Sequence, residues 1–293
     1  MSLYHVPVLV KEVALGLQVA PGKQFIDATV GGGGHAREIV MRGGTLLGID
    51  TDSEALEAAR EELAHTQSGP GNTENWKIVE GNFKDIGQIA KENGFSAVDG
   101  ILFDLGVSSH QLDTPERGFS YRFGDAPLDL RLDQHKGSGA SEYLKKVSEN
   151  ELYENLAKYS EEEHSRAIAS AIVRSRRLKA ITTTGDLYKI IEKQVGTREA
   201  KSVASRIFQA LRIIVNDELV ALREGLSGAK VLLKSGGRLA VISFHSLEDR
   251  IVKKFMRTDG WKVITKKPIV AGESEYMQNK RSRSAKLRIA EKL

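Results

Sequence analysis

Positions 24–35, Q-F-I-D-A-T-V-G-G-G-G-H, set a carboxylate, four consecutive glycines and an imidazole side by side. Phe25 and Ile26 read as the end of a buried strand, and Asp27 closes it. Gly31, Gly32, Gly33 and Gly34 then make a turn almost free of side chains, and from Ala36 the pattern A-R-E-I-V-M reads as a helix. Glycines let the backbone take positive φ and approach a ligand closely, and a helix start offers unpaired N–H groups. Strand, glycine turn and helix start together form a cradle for a nucleotide-containing cofactor. An ordinary βα turn seldom needs four glycines in a row.

Two more carboxylates fall at strand ends. Asp50 closes T-L-L-G-I-D (45–50), where it can accept both hydroxyls of a ribose. Asp104 lies in V-D-G-I-L-F-D-L-G (98–106), at the edge where ligands bind in open α/β sheets. Asp99, near the other end of that strand, reads as structural. Phe83 follows W-K-I-V-E (76–80) and can either stack on an adenine or fill the core. Gly31-x-Gly33-x-x-Ala36 also satisfies the dinucleotide fingerprint, so a nicotinamide-dependent dehydrogenase is the first competitor. Asp27 argues against it, because a carboxylate beside the turn repels a pyrophosphate. It favours the ammonium group of S-adenosylmethionine, whose methionine portion His35 can contact.

Other chemistries find little support. The chain has no cysteine, which excludes a disulfide framework and thiolate metal sites. His5, His110, His164 and His245 show no metal-ligand spacing, and no metal is expected. No G-x-S-x-G elbow occurs. Ser243, His245 and Asp249 crowd into S-F-H-S-L-E-D, but neighbours in sequence do not make a triad.

The elements that must position these groups alternate. After the second strand, Ser53 can cap a helix whose Leu56, Ala59 and Leu63 recur at helical spacing. Positions 65–73 are loop by composition, and strands follow at 76–80 and 98–106, the latter apolar enough to be buried on both faces. Alternating strands and helices predict a parallel sheet covered on both sides. From 112 to 215 the pattern is helical: Ile168, Ala171 and Ile172 share one face, as do Leu187, Ile190, Ile191 and Val195. Strand pattern returns at R-L-A-V-I-S-F (238–244), after Gly236-Gly237, and again at 261–265 and 286–290 with a polar, basic loop between. The expectation is a sheet domain of 1–111 and 216–293 with an inserted helical domain at 112–215.

A chain of 293 residues, 40% hydrophobic and 28% charged, fits a soluble globular protein. Its N-terminus lacks the pattern of a signal peptide and no apolar run reaches membrane-spanning length, so the cytoplasm is expected. Charge is unevenly placed. Residues 1–200 hold 23 Lys and Arg against 30 Asp and Glu, a net of −7; residues 201–293 hold 20 against 9, a net of +11. A basic C-terminal part suggests a polyanionic partner.

Several long blocks resemble one family. H-V-P-V-L-V-K-E-V from position 5, D-L-G-V-S-S-H-Q-L-D-T-P-E-R-G-F-S-Y (104–121), S-R-I-F-Q-A-L-R-I-I-V-N-D-E-L (205–219), V-I-S-F-H-S-L-E-D-R-I-V-K (241–253) and the closing S-A-K-L-R-I-A-E stand in family order. The chain resembles the bacterial 16S ribosomal RNA (cytosine-N4)-methyltransferases. That resemblance implies a Rossmann-like, S-adenosylmethionine-dependent methyltransferase sheet with an inserted, mostly helical domain for substrate recognition. It implies cofactor contacts from Gly33, Gly34, His35, Asp50, Phe83, Asp104 and Gln111, and a 16S ribosomal RNA substrate within the small ribosomal subunit. Departures are small: His110 replaces a usual proline, D-A-P-L-D-L-R-L replaces D-G-P-L-D-M-R-M, and Ser160 takes a common glycine position.

The implied reaction moves a methyl group to an exocyclic amine whose lone pair is delocalised into the cytosine ring. Many amino-methyltransferases place Asp/Asn-Pro-Pro-aromatic after the fourth strand to orient that amine. Here the slot reads Asp104-Leu105-Gly106-Val107, so Asp104 is the candidate catalytic group, orienting the amine, binding the cofactor, or both. Without cysteine, the covalent route used at cytosine C5 is closed. Lys280, Arg281 and Arg283 are candidate RNA contacts in a loop before the last strand, and in that strand Lys286 and Arg288 are expected to share a face opposite Leu287 and Ile289. A non-catalytic RNA-binding module would keep the basic end but not need acids at three strand ends.

Overall fold

The apolar runs pair into one sheet. Its strands are β1 (Gln24–Asp27), β2 (Thr45–Asp50), β3 (Trp76–Glu80), β4 (Val98–Asp104), β5 (Leu233–Ser243), β6 (Trp261–Val263) and β7 (Lys286–Lys292). They lie in the order β3-β2-β1-β4-β5-β7-β6. The first five are parallel, whereas β7 runs antiparallel to both β5 and β6. The computed structural model describes residues 7–66 and 75–293. Most of the stretch read as a loop at 65–73, and His5, lie outside the described residues.

Continuous apolar runs mark strands that are buried on both faces. Along β4, Ile101 and Phe103 join one core with Ile26, Leu47, Ile49, Leu239 and Val241. Leu102 faces the other core, with Phe25, Leu46, Ala240 and Ile242. The period-2 alternation of Cβ directions divides the sheet between two helical layers. Chain direction matters for the site. β2 and β3 build outward from β1 on one side, and β4 is laid down on its other side, so the connections after β1 and β4 diverge and open a crevice at the carboxyl edge.

Some boundaries differ from the sequence reading, each for a local reason. Asp52, not Ser53, caps the helix Ser53–Ala64, its carboxylate accepting from the Glu54 N–H. β5 starts at Leu233, because Leu233 pairs with Val98 and the chain then shifts register before Arg238 meets Gly100. The segment read as a loop before β7 holds the short helix Glu273–Gln278 and a 3-10 turn, Lys280–Ser284. Arg288 is buried rather than outward-facing: its guanidinium donates to both carboxylate oxygens of Asp249, at 2.6 and 3.0 Å.

The chain divides into two compact units, one from the chain up to Ser108 and from Leu219 onward, the other Ser109–Glu218. In the second, the helices Glu149–Ser160, Ser165–Leu178, Thr184–Val195 and Thr197–Asn216 bury Leu152, Leu156, Ile168, Ile172, Leu187, Ile191, Val203 and Ile207. Ile190 and Val195 are half-buried. No helix among the described residues is long and apolar enough to cross a membrane.

A buried carboxylate ties this second unit together. Glu162 accepts from Arg206 through Nε at 3.0 Å and through Nη2, and from the His164 N–H at 3.1 Å. Burial alone would raise its pKa, but Arg206 and these N–H donors hold it below the ordinary value of 4.5. A depressed carboxyl pKa contributes stability that is present above the unfolded value and lost as pH falls through the folded one. We expect Glu162→Gln to destabilise the second unit by about 1–2 kcal/mol near neutral pH, Arg206 being partly exposed. The deficit should shrink below pH 4.5. Denaturant unfolding at both pH values checks this, and an equal deficit at each would remove the charge from the account.

Candidate functional site

The glycine turn is shaped by what surrounds it. Gly33 has φ +86°, and a Cβ there would sit 3.1 Å from the Ala59 Cα. At Gly34 a Cβ would meet Pro7 Cγ at 2.6 Å. Both therefore let the helix Gly34–Met41 start close against its neighbours. The loop before them crosses the crevice, the Ala28 N–H donating to the Leu102 carbonyl and the Val30 N–H to that of Ile49. Thr29 accepts from the Asp104 N–H at 2.6 Å, fixing the end of β4 to this loop.

The three acids and the imidazole meet at this edge. Asp50 is held by backbone donors, Gly31 N–H at 2.9 Å and Asp52 N–H at 3.0 Å, one on each oxygen. Burial nevertheless pushes its pKa up to about 6. Asp27 is 1% exposed and accepts only a 3.2 Å bond from the Thr29 N–H among the described residues. Burial carries its pKa to about 7, against the opposing pull of His35. His35 Nε2 stands 3.4 Å from Asp104 Oδ2, an ion-pair distance without hydrogen-bond alignment. Burial works against the imidazolium, but Asp104 and then Asp27 and Glu275 raise its pKa above the usual histidine value.

Four buried polar atoms here have no hydrogen-bond partner among the described residues: Asp27 Oδ2, both nitrogens of His35, and Asp104 Oδ1. Leaving buried polar groups unpaired is costly, and such atoms gather where a ligand completes them. The acceptor set suits a cation with hydroxyls: a carboxylate for an ammonium, and Asp50 at the neighbouring strand end for a diol. A ligand such as S-adenosylmethionine fits that chemistry, whereas a pyrophosphate would face Asp27.

Gly33, Gly34, His35, Asp50 and Asp104 thus come together at the carboxyl edge. Phe83 lies at the same edge, after β3, half-buried with its ring edge-on to Phe103 at 5.6 Å. Gln111 belongs to the second unit, buried in the helix Ser109–Asp113. Lys280 and Arg283 are exposed in the 3-10 turn that leads into β7, whose first residue pairs with Ser243 at the end of β5. Arg281 is half-buried there. Sequence reasoning missed Thr29 and Glu275. Glu275 accepts from the Leu9 N–H at 2.7 Å, a contact across 266 residues that no local pattern announces, and acts electrostatically on His35.

The crowded S-F-H-S-L-E-D stretch separates into structural duties. Ser243 donates to the Lys286 carbonyl, His245 and Glu248 form a capping box on the helix Ser246–Phe255, and Asp249 holds Arg288. No nucleophile–base pair results.

Comparison with known proteins gives consistent findings. Residues 2–293 match the family model described as the MraW methylase family. "Ribosomal RNA small subunit methyltransferase H" of Deinococcus radiodurans is 49% identical over 290 residues, spanning 98% of this chain and 89% of its own. The protein of that name from Brevibacillus brevis is 44% identical over 318 residues, spanning 100% of this chain and 99% of its own.

Because Asp27 has a folded pKa near 7 against 3.8 in the open chain, its burial costs stability as pH rises between those values. We expect Asp27→Asn to raise the thermal midpoint at pH 8, with a gain of at most about 4 kcal/mol. The gain should vanish below about pH 3, where both states are protonated. A variant less stable than the parent at pH 8 would show that the carboxylate is not a cost.

Proposed function

This chain belongs to the MraW methylase family, and from that membership together with the acid-lined cradle we propose that it methylates the exocyclic N4 amine of a cytosine in the decoding region of 16S ribosomal RNA. It is an S-adenosylmethionine-dependent rRNA methyltransferase. The supporting observation is the set of buried, incompletely paired groups at the ends of β1 and β4 beside the Asp50 carboxylate. A nicotinamide dehydrogenase gains nothing from Asp27.

S-adenosylmethionine, when bound, supplies a methyl group on a positively charged sulfur. Asp27 and His35 would meet the methionine end, Asp50 the ribose hydroxyls, and Phe83 the adenine. Gly33 and Gly34 let the helix Gly34–Met41 start close against Ala59 and Pro7, beside where that ligand would lie. Asp104 would accept hydrogen bonds from the target amine, turning its lone pair out of conjugation. The amine must give up one proton in the transfer, and Asp104 would accept it. Positioning and removal of water supply most of the rate in such a transfer. A cytosine within folded RNA must be unstacked to enter. The second unit would recognise the substrate, and Lys280, Arg281 and Arg283 would contact phosphates. The place of action is the cytoplasm, on RNA within the small ribosomal subunit.

The decisive experiment incubates the protein with methyl-labelled cofactor and small subunits lacking the modification, then identifies the nucleoside. N4-methylcytidine is expected, and label in C5-methylcytidine or in no nucleoside would overturn the assignment. Asp104→Asn should cut the rate by about a hundredfold or more if the carboxylate is required.

Cofactor binding should depend on pH. Asp50 and Asp27, with pKa values near 6 and 7, meet hydroxyl and ammonium donors best as carboxylates. We expect affinity measured by calorimetry to rise from about pH 5 to about pH 8, as both lose their protons. Asp50→Asn should weaken binding by roughly 1.5–3 kcal/mol at pH 8 and flatten the lower part of the profile. A folded variant with parental affinity would remove Asp50 from the site.

A further inference from the structure

A second concave surface lies on the far edge of the sheet, by β6. It encloses about 300 Å³ and is lined by Lys253, Met256 and Arg257 of the helix Ser246–Phe255 and its following turn, by Val263, Thr265 and Lys266, and by Arg288 of β7. Lys253 and Arg257 are four residues apart, so the helical turn brings them to one side. The fold then sets Arg288 and Lys266 opposite. Four cations facing one groove repel one another unless anions intervene.

Only one of them is matched from within. Arg288 is held by Asp249, which also feels Lys253 and Lys286. Lys253, Arg257 and Lys266 are exposed and make no ion pair among the described residues. The charge here is concentrated in sequence too, with seven Lys and Arg against one Asp between positions 250 and 267. The floor is apolar, Met256 being 2% exposed and Val263 beside it 37%. Fixed positive charge around an apolar floor suits a chain of phosphates whose sugars and base edges lie against carbon. Upstream along β7, Lys286 and the exposed Lys280 and Arg283 extend the positive charge toward the carboxyl edge that carries the cradle.

We propose that this groove binds the phosphodiester backbone of the RNA substrate, next to the segment presented to the cradle. The inference rests on the RNA methyltransferase reading for its ligand and assigns three contacts, Lys253, Arg257 and Lys266, that the reading did not contain.

The test combines Lys253→Gln, Arg257→Gln and Lys266→Gln in the full chain, leaving Arg288 to hold Asp249. Binding of unmodified, protein-free 16S ribosomal RNA is measured between roughly 50 and 200 mM salt. The plot of log affinity against log salt is expected to lose about two to three units of slope. Cofactor affinity should stay at the parental value, and the thermal midpoint should not fall. A control with Arg60→Gln, Lys77→Gln and Lys91→Gln, around the opposite β3 edge, should keep the parental slope. An unchanged slope in the groove variant overturns the proposal. So does an equal loss in the control, which would reduce the effect to bulk charge. A loss confined to assembled subunits, with free RNA bound normally, would assign the groove to a protein instead. The methyl-transfer reading fails separately, if the parental protein modifies no cytosine amine while the groove variant still loses slope.

Discussion

At the carboxyl edge of the sheet, the His35 imidazole stands 3.4 Å from Asp104 and within electrostatic reach of Asp27, all three nearly withdrawn from water. Two buried carboxylates near each other and a single imidazole cannot satisfy one another. Burial has raised the pKa of Asp27, and polar atoms at this edge are left without partners among the described residues. A fold selected for stability alone would replace Asp27 with an apolar residue. Retaining it keeps a negative potential in a low-dielectric crevice, where it acts on an arriving cation far more strongly than it would in water. The site is therefore an electrostatically costly region supported by the two cores on either side of the sheet.

That support is specific. The loop after β1 is pinned to β4 and β2 by backbone bonds, and Thr29 carries the end of β4. Gly33 and Gly34 allow a helix start to press against Ala59 and Pro7 where any Cβ would intrude. Glu275, arriving from late in the chain, fixes the Leu9 N–H and adds negative charge toward His35. The last stretch of sequence thus completes a site that the first thirty-five residues begin.

The basic C-terminal stretch divides in the same way between inward and outward work. Lys234 pairs with Asp99, Arg238 with Glu291 and Arg288 with Asp249. These pairs join β5 and β7 to their neighbours and cancel part of the formal excess. What remains facing outward, on the turn before β7 and around the β6 groove, is the charge available to a polyanion. Net charge by itself does not make that distinction.

Much of the cradle was legible in the sequence because its signals are local. A buried parallel strand is an unbroken apolar run closed by a polar residue, so β2 ended where the residues indicated, and Asp50 could be placed at a strand end. Consecutive glycines announce a turn without any knowledge of the sheet. The long family blocks carried the reaction class, which physical patterning alone left open between two cofactors. Tertiary structure alone decided the pairings between residues far apart. Asp249 with Arg288, Leu9 with Glu275, the antiparallel β7 between β5 and β6, and the convergence of Lys253, Arg257 and Lys266 on one groove belong to this class. Periodicity encodes which face of an element is apolar. Which partner that face, or a charge beside it, will meet depends on the order of strands in the sheet and on the loops that close over it, and that order is fixed only when the whole core packs at once.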